Sequence, residues 1–553
     1  MLTWTDEQAR AIGLRDCNIL VSAAAGSGKT AVLVERIKAL ITDENDPVRL
    51  DRMLVVTFTE AAAAEMRRKI VGAVSAELER KDSAFLREQL QRVFSASIST
   101  FHSFALGILR RYYYIIDMEP SLGICDEFRK TLLVNEAMDR LFDEYFERDD
   151  AVGADGGAGD PAFTDFLNRY AGAKNENAVR GMIANTHAFI QSLPDPLGWL
   201  KERTEILSQG VEDFRRGDVF RELLGEIADD LETAATATER LGDALDEADV
   251  PSLARKNEAD LERMTELIRA ARMVYEDART GGAGDGFDAL GERIGTFSFT
   301  RFDCAKADKE NYAPIKPLIA KRRKRAKERL KKLSERFFAK PLADMVAEIN
   351  DTHASARTLF ESVRRFDALF SEIKRREGLI DFNDIEHMAL RILEDERVRA
   401  EYRDKFEYIF IDEYQDNNPI QETLISRIKR EDNLFMVGDV KQSIYKFRLA
   451  EPEIFIGKYN DEFVDEEGAI NRRIDLNRNF RSKGGILDNI NAVFGRLMNR
   501  KLSGIAYDEK AALRKGLAYD SAWDRPVALR LLDTTGDAAD ADVDPEILEL
   551  RHA

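Results

Sequence analysis

The run Ile19-Leu-Val-Ser-Ala-Ala-Ala-Gly-Ser-Gly-Lys29-Thr30 sets how every other segment of the chain is understood. A short apolar segment ends in a small-residue turn, and a helical pattern, Ala31-Val-Leu-Val-Glu-Arg-Ile37, follows it. Strand, tight turn and helix in that order are the context in which a phosphate-binding loop works. Backbone N–H groups of Ala25, Gly26, Ser27, Gly28 and the first helical turn can surround a phosphate, with the helix dipole adding to the attraction. Lys29 is then placed to reach the β- and γ-phosphates of a nucleotide, and the Thr30 hydroxyl to hold Mg²⁺. The pattern departs from its usual form at Ala23, where a first glycine is expected.

A second apolar strand ends in carboxylates: Phe406-Glu-Tyr-Ile-Phe-Ile-Asp412-Glu413-Tyr-Gln415-Asp416. Adjacent acids at a strand end can face one cleft. The first can hold Mg²⁺, usually through water, and the second can orient and deprotonate an attacking water. A third strand runs into Gly438-Asp439-Val-Lys-Gln442-Ser-Ile-Tyr445-Lys-Phe447-Arg448. Gln442 is uncharged and bidentate, suited to sensing a γ-phosphate or holding the lytic water. Tyr445, Phe447 and Arg448 could carry that state to a bound strand by stacking and phosphate contact. The segment ending Asn-Phe480-Arg481-Ser482 offers a guanidinium whose fork suits charge on equatorial phosphate oxygens.

The strand ends at 52–59 and 96–104 carry Thr, Ser, Phe and His at the sheet edge where ligands bind in parallel sheets. Thr59, Thr100, His102 and Ser103 could meet a phosphate backbone, and Phe58 or Phe101 a base. Each aromatic taken alone is more often core. Gln8 has two readings as well: with Thr5 it completes a capping box, and its amide could pair with an adenine edge.

At 553 residues the chain is too long for one domain. Residues 120–345 read as a mainly helical insertion, with a long Ala/Glu/Asp-rich stretch at 229–262 taken as solvated helix and loop. A basic run, Lys321–Lys332, is either a solvated helix face or a phosphate-backbone contact. The net charge of -19 disfavours nucleic-acid coating only if charges are evenly spread, and here they are segregated. The opening has no basic segment followed by an apolar stretch and cleavage site, and no run reaches the ~20 apolar residues of a membrane span. Cys17, Cys125 and Cys304 are widely spaced and lack a metal-ligand pattern, which fits a reduced, cytoplasmic compartment. Arg525–Leu532 reads as a strand, and Pro545–Arg551 as a helix just beginning, so the chain is expected to be truncated.

Taken together, Ala-Ala-Ala-Gly-Ser-Gly-Lys-Thr, Val-Thr-Phe-Thr-Glu-Ala-Ala-Ala-Ala-Glu-Met, Ser-Thr-Phe-His-Ser-Phe, Ile-Asp-Glu-Tyr-Gln-Asp, Val-Gly-Asp-Val-Lys-Gln-Ser-Ile-Tyr-Lys-Phe-Arg and Asn-Phe-Arg-Ser resemble the superfamily 1 DNA helicases of the UvrD/Rep type. Within them, Val440-Lys441, Phe447 and the large insertion resemble the N-terminal half of the AddA family of helicase–nucleases. The resemblance implies an α/β fold: a RecA-like P-loop core in two parts (1–120 and 346–475), a helical insertion (121–345) and the start of a second core (476–553). It implies ATP and Mg²⁺ as cofactors. Gln8 would read adenine, Arg36 would help flank it and Phe480 would stack on it. Phe58, Thr59, His102 and Phe447 fall where the family binds single-stranded DNA. The intact protein is then expected to be a 3′–5′ helicase and exonuclease that processes double-strand ends for recombinational repair, in a heterodimer with an AddB-like partner. By the resemblance, the later helicase motifs and the nuclease domain are expected to lie beyond Ala553, so this chain is expected to bind ATP but not to unwind DNA. A nucleotide switch for protein partners and a non-catalytic scaffold remain the alternatives.

Overall fold

A computed structural model of the chain describes residues 4–119, 122–147, 160–171, 176–280, 282, 286–499 and 503–517. Backbone packing divides it into two units: residues 1–125, 192–194 and 380–553 form one, and residues 126–191 and 195–379 the other. The first is organised around strands β1 (Asn18–Ala23), β2 (Met53–Thr57), β3 (Ser97–Thr100), β4 (Tyr408–Ile411), β5 (Leu434–Gly438) and β6 (Asn471–Leu476). They lie in the order β3-β2-β4-β5-β1-β6, every pair parallel. Typical register partners are Val56 with Ile411, Ile411 with Met436, and Val21 with Val437.

Helices cover both faces of this sheet, so its central strands are apolar on both sides rather than alternating. Every residue of β2 and β5 is buried. They include α1 (Asp6–Gly13), α2 (Lys29–Ile41), α3 (Glu60–Arg80), α4 (Phe101–Tyr112), α5 (Phe382–Ile392) and α6 (Pro419–Ile428). Because successive strand residues point to opposite faces, Leu20, Val56 and Ile411 join Phe104, Ile385 and Leu424 in one core. Ile19, Val21, Val55 and Phe410 join Leu33, Ile37, Met66 and Ile70 in the other. Parallel strands also bring all their carboxyl ends to one edge. The phosphate-loop turn, Phe58, Thr100, Asp412 and Gly438 therefore share that edge.

After β6, Arg478–Asn479 pairs in parallel with Arg514–Lys515. The strand expected at 525–532 and the helix expected at 545–551 lie outside the described residues.

The second unit is helical and extends to Leu379, beyond the 345 at which the sequence pattern ends the insertion. The cause is the helix His353–Arg376, which buries Val363, Phe366, Phe370 and Ile373 among the helices before it. The stretch at 229–262 is helical except at residues 248–250. It belongs to two long helices, Asp218–Glu247 and Pro251–Arg279, joined by a three-residue turn. Leu231, Ala234, Thr238, Leu241 and Leu245 recur at helical spacing and are buried, which turns an acidic segment into one side of a hairpin. The basic run lies on the helix Lys309–Phe337, burying Arg323, Ala326, Leu330 and Leu333 and exposing most of its lysines. Among the described residues no helix is long and apolar enough to cross a membrane.

Candidate functional site

The turn between β1 and α2 takes a form only glycine permits easily: Gly26 and Gly28 have φ of +70° and +85°. A Cβ on Gly26 would lie 2.8 Å from Asn479 Nδ2 and 3.0 Å from Arg481 Cβ. Ala23, by contrast, is the last residue of β1, is fully buried and has no positive φ, so alanine is accommodated there. The turn is held from two sides. Gln8 completes the capping box with Thr5 and donates from Nε2 to the Ser27 carbonyl at 3.0 Å. Asn479 Nδ2 donates to the Ala25 carbonyl (2.7 Å), and the Phe480 N–H donates to the Gly26 carbonyl (2.9 Å). Asn479 Oδ1 accepts the N–H groups of Arg481 and Ser482 at 2.8 and 2.7 Å. Asn479, which sequence reasoning passed over, thus joins the turn to the arginine-bearing segment. Ser27 Oγ is buried with no hydrogen-bond partner, a polar atom of the loop with its capacity unmet.

The chain leaves β4 through Asp412 and then Glu413, whose φ of +51° is unusual for a residue with a side chain. This turn carries the backbone out of the pleat and brings both acids to one cleft of about 430 Å³, lined also by Thr30, Gln415, Asp416 and Gln442. Lys29 Nζ lies 2.8 Å from Glu413 Oε2. Gln442 Nε2 donates to Asp439 Oδ2 at 2.7 Å. Asp412 is pushed from the ordinary 3.8 up to about 6, first by burial and then by the neighbouring Glu413 charge. Asp416 is raised to about 6 for the same two reasons. Hydroxyl and carboxylate oxygens of Thr30 and Asp412 are the hard donors Mg²⁺ prefers. Among the described residues no three His, Cys, Asp or Glu side chains are grouped to hold a metal, so a cation here would take most of its ligands from phosphate and water.

Residues 4–462 match the UvrD/REP helicase N-terminal domain. The chain belongs to that family. It is also similar to bacterial ATP-dependent helicase/nuclease subunits. The one from Alkaliphilus oremlandii is 38% identical over 561 residues, covering all of this chain and 44% of that protein. The one from Syntrophomonas wolfei is 37% identical over 519 residues, covering 94% of this chain and 40% of that protein. The one from Bacillus licheniformis is 38% identical over 551 residues, covering 97% and 43%. The chain therefore spans less than half the length of these curated relatives.

The strand-end residues of this UvrD/REP-family chain divide into two groups. Phe58, Tyr445 and Phe447 form an aromatic row, with ring centroids 4.7 Å and 5.8 Å apart in turn, and the Arg448 guanidinium lies 5.5 and 5.8 Å from the last two rings. Phe447 is 75% exposed. Thr59 is exposed and caps α3. His102 is partly exposed and meets the Phe382 ring edge-on at 5.2 Å, a pairing the sequence does not announce because the two are far apart in the chain. Thr100 differs: it is buried, caps α4, and its hydroxyl is committed to Glu60 Oε1 at 2.8 Å. Phe101 is likewise core.

Arg36 also departs from the expected position beside a base. It is 1% exposed, donates to the carbonyls of Ala11 (2.9 Å) and Ile12 (3.3 Å), and lies over the Phe435 ring at 4.9 Å. It is a tie between α2 and α1. Phe480 lies beside Gly516, where a Cβ would come 2.7 Å from its ring.

Proposed function

We propose that this chain is the ATP-hydrolysing motor region of a 3′–5′ DNA helicase–nuclease. It would act in a heterodimer with an AddB-like partner on single strands and duplex ends during recombinational repair. The observation that carries this reading is a single cleft. Thr30, Asp412, Glu413 and Gln442 line it together with Phe58, Thr59 and Tyr445, so nucleotide chemistry and a strand-stacking surface share one wall. In this reading the sheet unit is a RecA-like P-loop core, and residues from 476 begin a second one.

The roles follow from the donor set. The loop N–H groups of Ala25–Gly28 and the Lys29 ammonium bind the phosphates, and Lys29 exchanges its present ion pair with Glu413 for them. That exchange frees Glu413 to take a proton from the attacking water, whose oxygen bonds to the γ-phosphorus as the bond to ADP breaks. Gln442 orients that water or senses the γ-phosphate, and Arg481 balances charge on its oxygens. Mg²⁺, held by Thr30 and through water by Asp412, would supply charge neutralisation at the phosphate oxygens. For Gln8 to read adenine it must give up a capping or loop bond, and Phe480 supplies the stacking face. Phe58, Thr59, His102, Tyr445, Phe447 and Arg448 contact single-stranded DNA.

The test is ATP turnover by the full-length protein with its partner, with and without single-stranded DNA, beside Glu413→Gln. Strong DNA stimulation that the variant abolishes, with nucleotide binding retained, supports a DNA motor. Turnover indifferent to DNA overturns it in favour of a nucleotide switch.

A further inference from the structure

The ATP-hydrolysing reading names Glu413 and Gln442 but leaves unexplained how two side chains on different strands are held in one geometry. Between them lies Gln415, 2% exposed. Its Nε2 donates to Glu413 Oε2 at 3.0 Å and to Asp416 Oδ2 at 3.1 Å. Its Oε1 accepts the backbone N–H of Asp439 at 2.8 Å. Asp439 is 1% exposed, and its carboxylate accepts Gln442 Nε2 at 2.7 Å on one oxygen and pairs with Lys441 Nζ at 2.7 Å on the other. The path from Glu413 to Gln442 is thus an unbroken set of hydrogen bonds crossing from the end of β4 to the end of β5.

We propose that Gln415 is a positioning residue that sets the Glu413 carboxylate against the Gln442 loop, a role that rests on the ATP-hydrolysing reading of this site. Three features of its surroundings fit that task. An amide both donates and accepts from fixed positions, which is what a bridge between a carboxylate and a backbone N–H requires. Gly438 leaves room for it: a Cβ there would lie 2.6 Å from Gln415 Oε1 and 3.1 Å from Gln415 N. When Lys29 turns to phosphate, Gln415 is the donor that stays on Glu413, so the base keeps its orientation while losing its ion pair. The Gln442 loop continues into Tyr445 and Phe447, so the same bonds connect the base to the aromatic row.

The experiment compares full-length protein in its natural assembly with Gln415→Glu and Gln415→Leu. The first keeps the shape but cannot donate when ionised, and the second removes both functions. Turnover of Mg-ATP is measured as kcat and KM with and without oligothymidylate, and a fluorescent ADP titration reports whether the phosphate loop is intact.

In both variants we expect kcat to fall by about 10²-fold, the scale of a misplaced reacting group. KM for ATP should stay within about twofold, because no loop contact is touched. DNA stimulation should shrink as well. A Gln415→Glu variant with parental turnover, or either variant with parental DNA stimulation, overturns the role and leaves the ATP reading standing. Absence of any DNA-stimulated turnover in the parent protein overturns that reading and this role with it.

Discussion

At neutral pH the Asp412 carboxylate is ionised against its own solvation, because it is buried beside Glu413 and its affinity for a proton rises to about 6. The sign follows by linkage. A carboxylate raised from 3.8 in the folded state stabilises the fold when protonated, and that contribution is lost as pH climbs from about 4 through about 6. Asp412→Asn should therefore raise stability at pH 7 by about 1–3 kcal/mol while abolishing Mg-dependent turnover. The gain should vanish below about pH 4 in the same thermal melts. A melt unchanged at pH 7 would show that the carboxylate is not desolvated. Gly26 is the opposite case, a residue whose backbone cannot be changed cheaply. Gly26→Ala combines about 1–2 kcal/mol of left-handed strain with a Cβ 2.8 Å from Asn479 Nδ2, and should lose nucleotide binding in a fluorescent ADP titration.

Among the helices and strands, short devices set long-range geometry. The box formed by Thr5 and Gln8 starts α1, and the same Gln8 reaches the phosphate loop at Ser27. Thr5→Ala should cost about 0.5–2 kcal/mol in chemical denaturation and weaken nucleotide binding, whereas a cap with no link to the loop would affect stability alone. In the helical unit, Asp260 is fully buried on Pro251–Arg279, accepts the Thr300 N–H at 2.9 Å and pairs with Arg323 at 3.3 Å. Arg323 is itself buried, with its guanidinium 3.5 Å from the Phe302 ring centroid. Asp260→Ala should cost about 3–5 kcal/mol by leaving that charge unpaired. Hydrogen exchange should rise along 251–337, and a variant in which exchange stays at the parental level would show the pair to be dispensable.

Over the full chain the charge of -19 opposes a polyanion, so the DNA contact proposed above has to be local. The exposed aromatic row offers it through stacking rather than charge. Phe447→Ala should weaken oligothymidylate binding by about 1–3 kcal/mol in anisotropy titrations, with unchanged melting and unchanged salt slope. A loss of melting temperature instead would return Phe447 to the core. The parallel α/β class, the glycine turn and the strand-end acids were legible before any coordinates, because each is a local demand. Gly26 and Gly28 answer a backbone conformation, buried strands answer a sheet covered on both faces, and Asp412-Glu413 answers a strand end. The glutamine loop and the aromatic residues that follow it could be read from the chain in the same way. Which distant partner a polar side chain takes was settled by folding alone. Folding drew Arg36 and Thr100 into the interior, paired His102 with Phe382, and set Asn479 on Ala25 across 454 residues. It likewise placed Gln415 between two strand ends. A hydrogen bond between distant residues leaves no periodicity in the chain, so such choices are made when the sheet brings its carboxyl ends together.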